Sequence, residues 1–173
     1  MKLVSKKICL IGDYGVGKTS LIRRFVERQF SDQYLSTVGV KISRKTLQIP
    51  GSEASSDREL KLLIWDLEGR QKFKAISPQY LQGASGAIVV ADVTRVETLA
   101  SLVGHIRMFL TVNSTGTIAI AYNKVDLIDE SQAADCLNRV HLDGLGKTIP
   151  VYLSSAKTGL NVDTIFAQLG ERL

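Results

Sequence analysis

Five short apolar segments constrain the fold of this chain more than any other feature. Each is shorter than a typical helix, and turn residues or amphipathic helix patterns separate it from the next. They cover residues 8–11, 60–65, 87–91, 118–122 and 151–153. Strands of this kind are buried on both faces, so helices must cover both sides of a mostly parallel sheet.

Three apolar stripes at helical spacing supply helices for that sheet, and we interpret them as core rather than site. They consist of Leu21, Ile22, Phe25 and Val26, then Leu99, Leu102, Val103, Ile106 and Leu110, and finally Val162, Ile165, Phe166 and Leu169. The segment Val40 to Ile49, with the turn-rich residues 50–57 after it, predicts a loose hairpin with the strand from Leu60. The expected fold is therefore α/β, a six-stranded mostly parallel sheet with one antiparallel edge strand. No repeat or linker interrupts residues 1–173, which predicts a single domain.

Composition limits the compartment and the partners. The chain has 173 residues, 45% of them hydrophobic, and a net charge of +5. Its basic residues are dispersed along the chain and interleaved with acidic ones. Dispersed charge indicates a solvated surface, so no nucleic-acid partner is expected. Cys9 and Cys136 have no CxxC partner and predict buried free thiols in a reducing compartment. Without an apolar run for a membrane span or a signal peptide, we expect a cytoplasmic protein.

The first apolar segment leads into a phosphate-binding pattern. Gly12-Asp13-Tyr14-Gly15-Val16-Gly17-Lys18-Thr19 matches GxxxxGK[ST] in the strand-loop-helix setting that this motif requires. Glycines let the backbone wrap around phosphates, so that N–H groups and the following helix N-terminus face the anion. Lys18 is expected to reach the β- and γ-phosphates, Thr19 to ligate Mg²⁺, and Ser20 to lie on the α-phosphate side.

A phosphate loop alone leaves kinases, ATPases and GTPases open. Asn123-Lys124-Val125-Asp126 follows the strand at 118–122, at the sheet edge where α/β proteins bind ligands. The Asp126 carboxylate is able to accept two N–H bonds from guanine, and adenine lacks that donor pair. The combination predicts a guanine nucleotide, although Asn-Lys-x-Asp alone is commonly a turn.

With these motifs, residues 5–173 resemble a Ras-superfamily GTPase, a P-loop NTPase of the small G-domain type. Three further motifs of that family occur in order: Thr37 in Ser36-Thr37-Val38-Gly39, then Trp65-Asp66-Leu67-Glu68-Gly69, then Ser154-Ser155-Ala156-Lys157. Similarities at Ser36-Thr37-Val38-Gly39-Val40, at Trp65 and Phe73, and at Tyr80-Leu81-Gln82-Gly83-Ala84 favour the Rab branch.

The resemblance implies a role for each matching residue. Toward the base, Ala156 would offer its N–H to the guanine oxygen, Phe30 would lie at the base edge and Lys124 over its face. On the phosphate side, Tyr34 would fold across the phosphates and Gly69 would donate its N–H to the γ-phosphate. Thr19 and Thr37 would ligate Mg²⁺, and Asp66 would hold the ion through water. Ser155 and Lys157 also belong to the implied nucleotide-binding set. The alternatives are that Phe30 is a core residue and that Lys124 and Tyr34 are solvated surface side chains.

The resemblance also implies a switch, with GTP or GDP as ligand and Mg²⁺ as cofactor. Segments 31–39 and 68–77 would contact the γ-phosphate, relax after hydrolysis and so exchange effector proteins. An exchange factor and a GTPase-activating protein are expected partners. The implied catalytic set is Lys18, Thr37, Gly69 and Arg70.

Three residues depart from the family pattern. Arg70 stands where most relatives have the glutamine that orients the attacking water, and its guanidinium has donors only. Tyr14 puts a bulky ring in a loop position that is usually small or polar, where it would crowd an activator's arginine. Glu68 adds a carboxylate near the Mg²⁺ site. We therefore expect slow intrinsic hydrolysis.

Two questions stay open from the sequence. The alternative to a slow switch is a nucleotide-binding scaffold with negligible hydrolysis. A P-loop kinase or an adenine-specific ATPase agrees poorly with Asp126, which indicates a guanine base. The sequence ends at Leu173 without a cysteine for prenylation, so no lipid anchor is expected in this chain. Either a tail is missing from the sequence, or the protein is a member, such as a prokaryotic relative, that works without an anchor.

Overall fold

The computed structural model describes residues 2–33, 36–51, 57–67, 77–139, 142, 145, 146 and 148–173. Six strands form one sheet in the order β2-β3-β1-β4-β5-β6. They are β1 (Lys2–Gly12), β2 (Val40–Ile49), β3 (Arg58–Leu67), β4 (Gly86–Asp92), β5 (Thr117–Asn123) and β6 (Val151–Leu153). Only the β2–β3 pair within this sheet is antiparallel, which confirms the predicted six strands with one antiparallel edge.

The described helices are α1 (Lys18–Glu27), α2 (Pro78–Leu81), α3 (Val96–Ala100), α4 (Leu102–Val112), α5 (Glu130–Arg139) and α6 (Val162–Glu171). None of them combines the length and apolarity that a membrane span needs. Two of them, α2 and α5, had no predicted stripe. In α5 the one buried apolar side chain is the small Cys136, which makes too weak a pattern to read.

The predicted stripe from Leu99 to Leu110 is divided between two helices. The break falls at Ser101, whose hydroxyl bonds back to the Glu97 carbonyl at 2.9 Å and competes with continuous helix geometry. Val103 and Leu110 are only half-buried, and Phe109 is the fully buried aromatic residue of α4.

Apolar residues form a cluster on each face of the sheet, since side chains alternate along a strand. Ile8 and Leu10 of β1 belong to the cluster under α1 and α6, where the Phe25 and Phe166 rings stack with centroids 4.0 Å apart. Cys9 and Ile11 belong to the cluster under α3, α4 and α5. Cys9 and Cys136 are buried and form no disulfide, as predicted, and burial raises the pKa of Cys9 to about 12.

The topology brings the loops that matter to one edge. From β1 the chain crosses to β3 on one side, while β4 lies on the other side of β1. Strand order therefore reverses at β1, and the carboxyl ends of parallel strands around such a point form the usual ligand crevice of an α/β sheet. The loops after β1, β4, β5 and β6 all open there.

Candidate nucleotide-binding site

A cavity of about 320 Å³ lies at this carboxyl edge of the sheet. Its wall combines the phosphate loop, the start of α1, the segment 29–33 with Thr37, and the loops after β5 and β6. The sequence motifs for phosphate and base thus face one common space. Its size and concave shape suit a small polar ligand.

Side-chain donors bind the backbone carbonyls of the phosphate loop. Lys18 Nζ donates to the Gly12 and Asp13 carbonyls at 3.0 and 2.9 Å. The Gly15 carbonyl accepts from Lys124 Nζ at 2.8 Å, and the Val16 carbonyl accepts from the side-chain amide of Asn123 at 3.0 Å. Because a planar trans peptide holds its C=O and N–H in opposite directions, these four hydrogen bonds also fix where the following N–H groups of the loop point.

Lys18 is nearly fully buried beneath the loop. Burial lowers its pKa to about 8, although the nearby Asp66 and Asp13 carboxylates oppose that change. A buried ammonium needs anionic or carbonyl partners, and here it has two carbonyls beside the cavity. The residue is therefore placed to meet a phosphate that enters the loop.

Asn123 ties the phosphate loop to the loop after β6. Its amide nitrogen reaches Val16, and its side-chain oxygen accepts the Ala156 N–H at 3.2 Å. The Ala156 N–H, expected at the guanine oxygen, is thus bonded to Asn123 in this structure. The residue is buried, so a single side chain sets the distance between two walls of the cavity.

Asp126 stands at the exposed rim with its carboxylate already oriented. Ser155, which is buried behind it, donates from Oγ to Asp126 Oδ1 at 2.5 Å, and Ser155 Oγ accepts the Thr158 N–H at 3.1 Å. Phe30 and Lys157 line the same side of the cavity. This geometry leaves the second carboxylate oxygen of Asp126 for a ligand at the rim.

The hydroxyl and carboxylate oxygens predicted for Mg²⁺ come together at the start of α1. Thr19 Oγ1 lies 2.7 Å from Thr37 Oγ1 and 2.5 Å from Asp66 Oδ2. Asp66 is buried, its Oδ1 has no hydrogen-bond partner among the described residues, and burial raises its pKa.

An unpartnered buried carboxylate oxygen beside two hydroxyls fits a hard cation that prefers oxygen ligands. Within the described part of the chain, no three His, Cys, Asp or Glu side chains form a metal cluster. Mg²⁺ in proteins usually takes the rest of its oxygens from phosphate and water.

Thirteen predicted site residues line the cavity: Tyr14, Gly15, Gly17, Lys18, Thr19, Ser20, Phe30, Thr37, Asn123, Lys124, Asp126, Ala156 and Lys157. Four lie behind its wall. Val16 is in the core, Asp66 and Ser155 support wall residues, and the Asp13 carboxylate faces His105 Nε2 at 2.9 Å. Predictions for Tyr34, Glu68, Gly69, Arg70 and Phe73 fall outside the described residues.

Three residues at the site were not predicted. Asp92 accepts from Lys124 Nζ at 2.7 Å, and Arg95 Nη2 donates to the Tyr14 carbonyl at 2.7 Å. Burial alone would raise the pKa of Asp92, but the hydrogen bonds from Lys124 and Thr94 lower it below its usual range. The position of Asp92 at the carboxyl end of β4 was a usable signal. No sequence signal indicated Arg95 or His105.

A phosphate loop between β1 and α1 of this sheet defines a P-loop NTPase of the small G-domain type. The chain belongs to the Ras family, whose model matches residues 7–173. Its relatives place it in the Rab branch, as the motifs predicted. It is 34% identical to the Ras-related protein Rab-22A of Homo sapiens, across 100% of this chain and 86% of that protein.

Two further relatives agree. The GTP-binding protein ypt5 of Schizosaccharomyces pombe is 33% identical over 98% of this chain and 78% of its own length. The Ras-related protein Rab5A of Oryza sativa subsp. japonica is 32% identical over 99% and 81%. The protein is thus a small GTPase, a nucleotide-binding switch of a family that binds GTP and GDP, generally with Mg²⁺.

Proposed function

We propose that residues 1–173 form a single G domain that binds GTP or GDP with Mg²⁺, hydrolyses GTP slowly, and engages effectors in its GTP state. The proposed nucleotide set is the phosphate loop with Asn123, Lys124, Asp126 and the 154–157 loop. Lys18, Thr37, Gly69 and Arg70 would act on the γ-phosphate. Thr19, Thr37 and Asp66 would hold the ion, which when bound neutralises phosphate charge.

The observation that carries the switch is the position of Thr37. Its hydroxyl lies 2.7 Å from Thr19 Oγ1 at the start of α1, although 18 residues separate the two along the chain. Thr37 belongs to the predicted switch segment 31–39, and the oxygens gathered around Asp66 hold it at the start of α1. Loss of the γ-phosphate would remove one reason for Thr37 to stay there, and this supports an order change on hydrolysis.

Guanine selection is supported by the Asp126 and Ser155 pair. Ser155 fixes one oxygen of the Asp126 carboxylate, and Asp126 lines the exposed side of the cavity, where a base edge would lie. A carboxylate held in this way loses its partners when the base offers no matching N–H pair. The preference for guanine over adenine would therefore be larger than the shape of the cavity alone provides.

Effector binding by segment 31–39 is supported by its apolar surface. Val38 has 85% of its surface exposed, and Ile42 at the start of β2 has 48% exposed. Exposed apolar side chains in or beside a segment that changes with the nucleotide suit a protein partner that reads the nucleotide state.

Slow hydrolysis rests on the chemistry of Arg70. A guanidinium offers donors only, so it does not accept a hydrogen bond from the attacking water as the usual glutamine carbonyl can. The direct test is single-turnover hydrolysis of GTP with Mg²⁺ by the wild type, Arg70→Gln and Arg70→Lys. Lysine is the matched control, because it also has donors and no acceptor.

We expect slow turnover in the wild type, faster turnover in Arg70→Gln, and no gain in Arg70→Lys. Equal acceleration by lysine would mean that the bulk or fork of arginine is responsible, rather than its missing acceptor. Brisk wild-type hydrolysis would refute the proposal of a slow switch. Tight GTP binding without turnover in any variant would instead favour the scaffold.

A further inference from the structure

Arg95 lies outside every motif, yet it contacts the corner of the phosphate loop. Its Nη2 donates to the Tyr14 carbonyl at 2.7 Å, and its Nε donates to Asp92 Oδ2 at 3.2 Å. With this contact, all five consecutive carbonyls from Gly12 to Val16 accept a side-chain donor. We propose that Arg95 is a positioning residue for nucleotide binding that fixes the Tyr14–Gly15 peptide unit, an inference that rests on the proposed function.

The planar peptide explains how this acts on phosphate. The Tyr14 carbonyl and the Gly15 N–H belong to one trans unit and point in opposite directions. A guanidinium that holds the carbonyl outward therefore aims the Gly15 N–H into the loop, where phosphate would accept it.

The Tyr14–Gly15 peptide unit needs a side-chain contact to fix its orientation, because the glycine backbone rotates at little cost. Gly15 has a φ of 73°, in the left-handed region, and glycine enters and leaves that region at little cost. A flip of the unit would turn its N–H out of the loop and its carbonyl oxygen in. An oxygen facing an anionic phosphate would repel it, so the orientation of one peptide decides whether this corner attracts or opposes the ligand.

Arg95 is itself anchored firmly enough to serve as the hold. Asp92, its ionic partner, is buried and also accepts from Lys124 Nζ and from the N–H and hydroxyl of Thr94. The Arg95 backbone bonds at both ends, its N–H to the Asp92 carbonyl and its carbonyl to the Thr98 N–H, each at 3.0 Å.

The same Asp92 oxygen receives Arg95 and Lys124, which hold the adjacent carbonyls of Tyr14 and Gly15. One carboxylate thus coordinates two neighbouring peptide units. The planar fork of arginine serves both acceptors at once, whereas lysine presents a single point charge.

The test measures release of a fluorescent GDP from the full chain, with Mg²⁺ and excess unlabelled GDP. We compare the wild type with Arg95→Gln, Arg95→Lys and the matched control Arg107→Gln, whose arginine is exposed on α4. Arg95→Gln is expected to release GDP on the order of tenfold faster, which corresponds to about 1.4 kcal/mol. Arg95→Lys should recover part of that loss, and Arg107→Gln should match the wild type.

A spectroscopic reading separates positioning from general destabilisation. In the ¹H–¹⁵N spectrum of the GDP-bound protein, the Gly15 amide should move in Arg95→Gln, while the Gly83 amide, in the loop after α2, stays in place. If Arg95→Gln does not fold, GDP release and the Gly15 amide shift are both measured on Arg95→Lys.

Release from Arg95→Gln within about twofold of the wild type, or a Gly15 amide that does not move, would overturn the inference. Faster release accompanied by equal movement of Gly83 would also overturn it, because the effect would then be global. A wild type that fails to retain GDP at all would instead refute the proposed function.

Discussion

Replacing Gly17 by alanine should disconnect the two walls of the cavity. An added Cβ would lie 2.2 Å from the Asn123 amide nitrogen, well inside contact distance. Asn123 is buried and is bonded on both sides, to the Val16 carbonyl and to the Ala156 N–H, so it does not move aside without losing those bonds. The substitution therefore acts on the tie between the loops.

The magnitude follows from what is lost. Two hydrogen bonds of about 1 kcal/mol each amount to about 2 kcal/mol, or about thirtyfold in affinity. Gly17 also has a φ of 103°, where a residue with a Cβ carries strain of about 1–3 kcal/mol. Gly83→Ala is the matched control, because Gly83 has a φ of 72° with open space around it. It shares the strain without the collision.

Isothermal titration with GDP and urea unfolding at equal GDP concentration separate the two effects. Gly83→Ala should unfold more readily and bind GDP normally, whereas Gly17→Ala should lose about thirtyfold in affinity as well. An affinity for GDP in Gly17→Ala that matches Gly83→Ala would refute the reasoning, since Asn123 would then be free to shift at no cost to the site.

Asp126→Ala should weaken GDP binding by more than about a hundredfold, because two charge-assisted hydrogen bonds of about 1.5–3 kcal/mol each are lost. Ser155→Ala should cost only about tenfold by the same titration, since its hydroxyl orients the carboxylate; equal losses would contradict that role. Phe166→Ala should lower the free energy of unfolding in urea by about 3–5 kcal/mol through loss of the stack on Phe25, and Phe166→Leu should cost clearly less. Cys9, with its pKa raised to about 12, should stay unlabelled by iodoacetamide at pH 8 until urea unfolds the protein; mass-spectrometric labelling of the native protein would contradict its burial.

Five strands were predictable because short apolar runs leave a strong local signal in the chain, whereas β2, which is largely exposed or half-buried, was predictable from the turn-rich residues that follow it. The phosphate and base loops were predictable for a similar reason, since each is a contiguous motif at the end of a strand. Arg95 and His105 were not, because their partners Tyr14 and Asp13 lie 81 and 92 residues away. The division at Ser101 was missed because the apolar spacing continues across it, as do the helical backbone bonds from Ser101 to Glu97 and from His105 to Ser101.

The β2–β3 pairing determines where this protein tolerates insertions. Lys41 pairs with Asp66 at one end and Ile49 with Arg58 at the other, eight residue steps away, or roughly 26 Å. Extra residues between 50 and 57 would lengthen a connection far from Asp66 at a small entropic cost. One extra residue inside either strand would slip the register and turn every later side chain to the opposite face. A reporter peptide placed in the 50–57 connection should therefore leave nucleotide binding intact, whereas the strands themselves allow no change in length.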